Sequence, residues 1–362
     1  MGPAQPAAVT ITANATAAAG ATITQVEFLQ GATVVGTAMA SPYIFSWTNV
    51  AAGSYSLTAR ATDSRTGQAS SSPVTISVAA AAPTLAIAAA PGLDGSTVNE
   101  TTVLIHGTIT APPNSGVTVN GMLATVGTDN NFSVNDVPLT AGANTITLTV
   151  TTQDGESASQ AIAINSSGAA APFTVSIDEP DGIAPHTVTL SVSGGGTPVA
   201  SVEFDVDGNG TVDITTPGLP AAGVEATYSS AGTVRPRVTF KDASGTVLYT
   251  ATKQVHIDDP VAKFNVTKNV FTQMLGRLSA GSISSASTAL MSSVADKFTS
   301  VFTALGSSLP TVASQLGTVQ GGTIAKDIAE IQLVRTDASG QSTAYTILLI
   351  RGGDGIWRIE GM

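Results

Sequence analysis

Val117-Thr118-Val119-Asn120-Gly121, followed at once by Leu123-Ala124-Thr125-Val126, is the stretch from which the architecture can be read. Apolar and polar residues alternate on both sides of Asn120-Gly121, and a period of two puts every second side chain on the same face of a strand. Asn and Gly both tolerate positive φ at the centre of a two-residue turn, so the pair predicts a hairpin. Working outward, the alternation recurs at Leu85/Ile87, Val103/Ile105, Phe132/Val134, Ile146/Leu148/Val150 and Ile162/Ile164. With the two runs of the hairpin these make seven short strands, the pattern of a two-sheet sandwich.

The same rhythm appears on either side. Upstream, Val26/Phe28 and Tyr55-Ser56-Leu57-Thr58-Ala59-Arg60-Ala61 alternate, with Gly53 and Asp63-Ser64 at turns between runs. Pro6, Pro83, Pro172 and Pro260 each precede a new apolar run, at spacings of 77, 89 and 88 residues. That period is too long for a solenoid repeat and suits one small sandwich. Four domains are therefore expected, over residues 1–79, 83–165, 172–258 and 260–362, with short linkers at Ala79 to Pro83, Ser166 to Pro172 and Asp258 to Pro260. Ala/Pro linkers of this length are stiff, so the chain is expected to be elongated.

Composition narrows the function. The 362 residues hold 25 acids against 14 bases, a net charge of -11, and the only bases in the first 172 residues are Arg60 and Arg65. Neutralising phosphates needs clustered Lys and Arg, so nucleic acid is not an expected partner. The longest tempting apolar run, Val78 to Leu93, is mostly alanine and is cut by Pro83 and Pro91, so no membrane span is expected. The absence of cysteine removes disulfide and thiolate chemistry. Met1-Gly2-Pro3-Ala4 lacks the charged and apolar regions of a secretory signal, so no signal peptide is expected within this chain.

Several stretches resemble known families. Val26-Glu27-Phe28, Pro42-Tyr43-Ile44-Phe45-Ser46-Trp47 and Ala52-Gly53-Ser54-Tyr55-Ser56-Leu57-Thr58-Ala59-Arg60-Ala61-Thr62-Asp63 look like the bacterial Ig-like domains of large surface proteins. In that pattern Trp47 is expected to fill the core rather than to serve as a sugar platform. The hairpin stretch, with Phe132 and Leu139-Thr140-Ala141-Gly142-Ala143-Asn144-Thr145-Ile146, is similar to Ig-like modules found beside glycoside hydrolases and in YD-repeat (RHS-type) surface proteins.

The third segment carries the motif with chemical content. In Val202-Glu203-Phe204-Asp205-Val206-Asp207-Gly208-Asn209-Gly210-Thr211-Val212-Asp213, oxygen donors fall at Asp205, Asp207, Asn209 and Asp213, and Gly210 stands where a calcium loop makes its sharp turn. Ca²⁺ is a hard cation that takes six to eight oxygens, and this spacing suits it. Thr216 replaces the bidentate Glu of a helix-loop-helix hand, which excludes that fold and leaves weak affinity. The competing reading is a polar hairpin loop whose Asp, Asn and Gly satisfy turn geometry. The wider segment, through Ala226 to Asp242, resembles the PKD domain, with Val234 in place of the usual Tyr and Glu203-Phe204 in place of the family's Trp.

After Pro260 the period changes. Val270, Met274 and Leu278, then Leu290, Val294, Phe298, Val301, Phe302 and Leu305, recur at helical spacing, and Pro310 can open another short helix. Strand runs follow at Ile328 to Arg335, Thr343 to Arg351 and Ile356 to Gly361. Pro260-Val261-Ala262-Lys263-Phe264-Asn265, Phe302-Thr303-Ala304-Leu305 and Asp354-Gly355-Ile356-Trp357-Arg358-Ile359 look like the cystatin-like, nuclear-transport-factor-type fold. The expected fold class is thus three all-β Ig-like sandwiches in tandem followed by one small α+β cystatin-like domain. Some relatives with the last fold use an Asp/His pair, but residues 260–362 contain no His, and Asp296 and Asp327 read as solvated.

Catalytic chemistry finds no footing in the motifs. There is no G-x-S-x-G elbow, and His106, His186 and His256 lie in separate strands, an arrangement expected to make neither a triad nor a zinc site. Gly194-Gly195-Gly196 reads as a turn between strands, and Asp178-Glu179-Pro180-Asp181 as a strand-end turn. The expectation is a non-enzymatic extracellular or cell-surface stalk, scaffold or adhesion segment of a bacterial protein, with other protein domains or subunits as partners. The alternatives are a carbohydrate-binding accessory module, with glycans as ligand, and a filament subunit joined through sheet edges.

Overall fold

The structure, a computed structural model, describes residues 7–50, 53–78, 83–337 and 339–362. The opening Met1-Gly2-Pro3-Ala4 and the expected linker at 79–82 lie outside the described residues. The chain is mostly β-strand in sandwich sheets, with a small helical part near the C-terminus.

The hairpin forms where the sequence places it. Val119 pairs with Met122, and Asn120 and Gly121 carry φ of 48° and 80°. Asn120 also ties the turn to the neighbouring strand: its Oδ1 accepts from the Thr147 N–H and its own N–H donates to the Thr147 carbonyl, both at 2.8 Å. A five-stranded sheet containing Gly116–Val119, Gly142–Thr151 and Ser157–Ser166 faces a four-stranded one containing Thr102–Thr110 and Asn131–Pro138. Ile105, Val117, Val119, Phe132, Ile146 and Leu148 fill the space between. The strand Ser96–Val98, which pairs in parallel with Ser157–Ser166, was not expected, because three residues are too few to show alternation.

In the first segment the sheet of Thr33–Ala38, Ile23–Gln30, Gly53–Asp63 and Gln68–Ser70 faces the pair Ala7–Ala13 and Tyr43–Val50. Its core is Val26, Phe28 and Tyr43, and the Phe28 and Phe45 rings stack at 5.9 Å. Gly36 lies against the Phe45 ring with no room for a Cβ. Trp47 is half-buried and meets Tyr55 edge-on at 5.1 Å, so it flanks this small core rather than filling its centre.

The third segment builds three sheets, with a core of Phe173, Leu190, Val202, Phe204, Val238 and Phe240. Phe173 and Phe240 stack at 4.4 Å. Its final strand, Val255–Asp258, is buried at every position and runs straight into the first helix.

That helix, α1 (Pro260–Ser279), carries the helical spacing of Val270, Met274 and Leu278 but begins ten residues before it. Asp259 is the N-cap, accepting from the Ala262 N–H at 2.8 Å, and Pro260 occupies the first turn, where its missing N–H costs nothing. It is followed by α2 (Ile283–Ser287), α3 (Ser292–Leu305) and α4 (Leu309–Ser314). Val270, Phe271, Met274 and Leu278 of α1 pack on an antiparallel sheet ordered Thr318–Ala325, Ile328–Thr336, Ser342–Arg351, Trp357–Gly361. The first of these strands was missed because Gly321-Gly322 interrupts its alternation. Gly322 marks a close approach: a Cβ there would collide with the Glu330 carbonyl and the Phe264 ring.

The expectation of an elongated chain fails for residues 83–362. Modules in line touch only their sequence neighbours, yet the second segment is hydrogen-bonded to the last as well as to the third. Asn114 bonds to the Trp357 backbone, and Arg277 grips Asp154 through two hydrogen bonds of 2.8 and 2.6 Å. Tyr249 donates to Glu100 at 2.9 Å, and Arg351 reaches back from the last segment to Asp181 at 3.1 Å. Stiff linkers do not prevent this, because the third segment joins the last through Asp258 and Asp259 with no spacer at all.

Candidate functional site

The Asp205 loop joins strands Ser201–Asp205 and Ile214–Pro217, which pair antiparallel. The fold brings Asp205, Asp207 and Asp213 together, with one oxygen from each within 4.8 Å of the others. Asp205 is buried and the other two are exposed. Backbone donors hold all three: Asn209 N–H is shared between Asp205 at 3.1 Å and Asp207 Oδ1 at 3.0 Å, Gly210 N–H donates to Asp205 at 2.8 Å, and Val206 N–H donates to Asp213 Oδ2 at 2.8 Å. Asn209 takes the part of a turn residue, its Oδ1 accepting from the Thr211 N–H at 2.7 Å and its Nδ2 donating to Asp207 Oδ2 at 2.9 Å. The Tyr228 hydroxyl donates to the Val206 carbonyl at 2.7 Å, and burial, with the charges of Asp207 and Asp213 nearby, pushes its pKa up to about 12. A carboxylate oxygen has two lone-pair sites, so each keeps capacity for a cation beside its backbone bond.

A second concentration of polar groups lies where segments meet. Asp258, 2% exposed, accepts from the Thr128 N–H of the second segment at 2.7 Å and pairs with the Lys263 ammonium of α1 at 2.5 Å. One carboxylate thus connects three segments. Arg351 is shared by Asp181 at 3.1 Å and Asp327 at 2.7 Å, so Asp327 is ion-paired rather than simply solvated. Burial would lower the Arg351 pKa, but the two carboxylates raise it above the ordinary value. Between the second and last segments lies a cavity of about 280 Å³, walled by Ile109, Pro113, Val126, Val266 and Trp357, with Lys263 and Arg351 at its edge. Both cations are already paired with the carboxylates named above.

The histidines divide by environment. His186 donates from Nε2 to the Glu179 carbonyl at 2.9 Å within the third segment. His106 meets Arg235 at 3.0 Å across the boundary between the second and third segments. His256 lies 3.0 Å from the Ser133 hydroxyl, a hydroxyl–imidazole pair that the sequence reading did not expect. Both are buried, at 2% and 1% exposure, and no carboxylate holds the far ring nitrogen, which faces the Thr233 hydroxyl instead. A substrate has no approach to this serine. The sequence signal for the junction was present in Gln254-Val255-His256-Ile257-Asp258, a strand with polar residues on one face at the end of a segment.

With this geometry in hand, comparison with known proteins gives the class. Residues 4–59 match the bacterial Ig domain, and residues 83–167 match domain B of glucodextranase. The chain carries tandem Ig-like domains. No curated protein matches it. Similar solved structures include the fibronectin(III)-like modules of Clostridium thermocellum CbhA, 16% identical over 46% of this chain and 88% of that one, with a TM-score of 0.20. A tetra-tandem repeat from the extending region of a large adhesion protein is 15% identical over 99% and 95% of the two chains, with a TM-score of 0.22. The D1-D4 ectodomain fragment of ICAM-5 is 17% identical over 70% and 72%, with a TM-score of 0.27. Likeness at this level assigns no function. Among the described residues no helix is long and apolar enough to cross a membrane.

Proposed function

We propose that this chain is a non-enzymatic, extracellular segment of a larger bacterial surface protein, serving as scaffold or adhesion region that holds other domains or subunits in place. The observation that carries the reading is the use made of polar groups where segments meet. Asp258 is spent on Lys263, Arg351 on Asp181 and Asp327, and Asn114 on the Trp357 backbone. Groups consumed in holding modules together are not available to act on a substrate. Within this reading the third segment is a PKD-like sandwich, the last is a cystatin-like unit, and the whole is akin to the amino-terminal part of YD-repeat surface proteins. The test is antibody labelling of the intact producing bacterium, combined with assay of the purified chain against peptide, ester and glycoside substrates. Surface labelling without turnover is expected. Labelling only after lysis, or turnover lost in S133A, would overturn the reading.

Glycan binding is the second reading, supported by the match of residues 83–167 to glucodextranase domain B. The aromatic residues count against it, because Trp357 is buried and Trp47 packs against Tyr55. A glycan array separates the two.

The Asp205 loop is proposed to hold Ca²⁺ through Asp205, Asp207 and Asp213, with Asn209 shaping the loop and water completing the shell. Three carboxylates so close repel one another without a counterion, and a hard cation relieves that repulsion.

A further inference from the structure

Two of the three histidines lie at the contact between the second and third segments, and their hydrogen bonds fix the protonation of both. Arg235 carries donors only. Its Nε–H donates to Gln254 Oε1 at 3.0 Å and its Nη2–H to His106 Nδ1 at 3.0 Å, so that ring nitrogen must hold a lone pair. With its oxygen committed to Arg235, Gln254 presents its Nε2 amide to His256 Nε2 at 3.0 Å, and that nitrogen must accept as well. The Ser133 hydroxyl, 3.0 Å away, points into the same lone pair. On the other side of the ring, the Thr233 hydroxyl donates to Asp129 Oδ2 at 2.8 Å. Its proton is therefore spent, and His256 Nδ1–H donates to the Thr233 oxygen at 3.1 Å. Donors thus run one way from Arg235 through Gln254, His256 and Thr233 to Asp129, with a branch to His106. Ser133 and Asp129 belong to the second segment, and Thr233, Arg235, Gln254 and His256 to the third.

We propose that this network is an acid-opened latch: neutral His106 and His256 hold the second and third segments together, and protonation of the two rings releases the contact. A proton on His106 Nδ1 would set one cation against the Arg235 guanidinium. A proton on His256 Nε2 would set an N–H against the Gln254 amide donor. The charged groups facing His256 are Asp129, Asp258 and Asp181, which favour its protonation, and Lys263, which opposes it. Burial outweighs the carboxylates and keeps its pKa below the ordinary value. Burial, and then Arg235, push His106 down from 6.5 to about 4. A histidine whose pKa is lower when docked stabilises the docked state fully above its free value of 6.5, and that contribution is lost as the pH falls toward the docked value. His186 bonds to Glu179 within the third segment and not across the contact, so it takes no part.

The chain has no cysteine, so A161C and A243C, both at exposed positions, place one spin label on each segment. Pulsed electron paramagnetic resonance on the full chain is then read from about pH 7.5 to about pH 4.5, a range set by the histidine titration. The expected result is a longer, broader inter-label distance at the acid end, and its loss in the H106N/H256Q chain, whose side-chain amides stay neutral. An unchanged distance in the parent, or opening of the double variant at the parent's pH, would overturn the latch. Should H256Q fail to fold, as judged by circular dichroism at neutral pH, H106N alone must move the opening to lower pH, and an unmoved midpoint overturns the proposal.

Discussion

The side-chain amide of Asn114 pairs with both backbone groups of Trp357, donating to the carbonyl at 3.0 Å and accepting from the N–H at 2.7 Å. Trp357–Gly361 is the last strand of its sheet, so the second segment supplies the pairing that a neighbouring strand would have supplied. Asn135 does the same for Gln254, with both hydrogen bonds at 3.0 Å. An asparagine side chain carries the donor and acceptor of a peptide group, and here it docks one module on another. N114A leaves both Trp357 groups without partners and is expected to cost about 1–3 kcal/mol. Urea unfolding, with faster hydrogen exchange at the Trp357 N–H, measures it; unchanged exchange would contradict the contact.

Asp258 and Lys263 are both buried, and breaking such a pair strands the remaining charge. D258A is expected to destabilise the chain by about 3–5 kcal/mol, and adding K263M should recover much of the loss by removing the uncompensated ammonium. Denaturation of the two variants side by side decides this, and equal stability of single and double variants would count against a buried ion pair.

For the Asp205 loop, Ca²⁺ bound only by the folded chain raises the melting temperature, and a chelator lowers it. A ligand at a hundred times its Kd adds about 2.7 kcal/mol. Calorimetry with Ca²⁺ and with chelator reads the shift. The same shift in a D205A/D207A chain would show that the ion binds elsewhere.

Two glycines give effects of opposite sign. Gly36 has the Phe45 ring where a Cβ would go, so G36A forces the ring aside at about 1–3 kcal/mol. Gly276 lies inside α1 with open space around it, and G276A is expected to stabilise by about 0.5–1 kcal/mol through helix propensity. Thermal melts of the two variants should move in opposite directions.

Local chemistry made much of this fold legible. The Asn120-Gly121 turn, the alternating core around Phe132, and the helical spacing of Val270, Met274 and Leu278 within α1 all stand where the sequence places them. The strand Thr318–Ala325 escaped because its glycines serve a close approach rather than an alternation. Asp205, Asp207 and Asp213 could be grouped in advance because a tight loop keeps near neighbours in sequence near in space. Ser133 and His256, 123 residues apart, could not.

By itself the sequence determined a β-rich chain of Ig-like modules, its turns, the helical spacing after Pro260 and its acidic loop, since each follows from residues within a few positions of one another. Only the tertiary structure decided which modules touch. Those contacts rest on single side chains such as Asn114, Arg235 and Asp258, which have no period to reveal them and acquire partners only when separate segments are brought face to face.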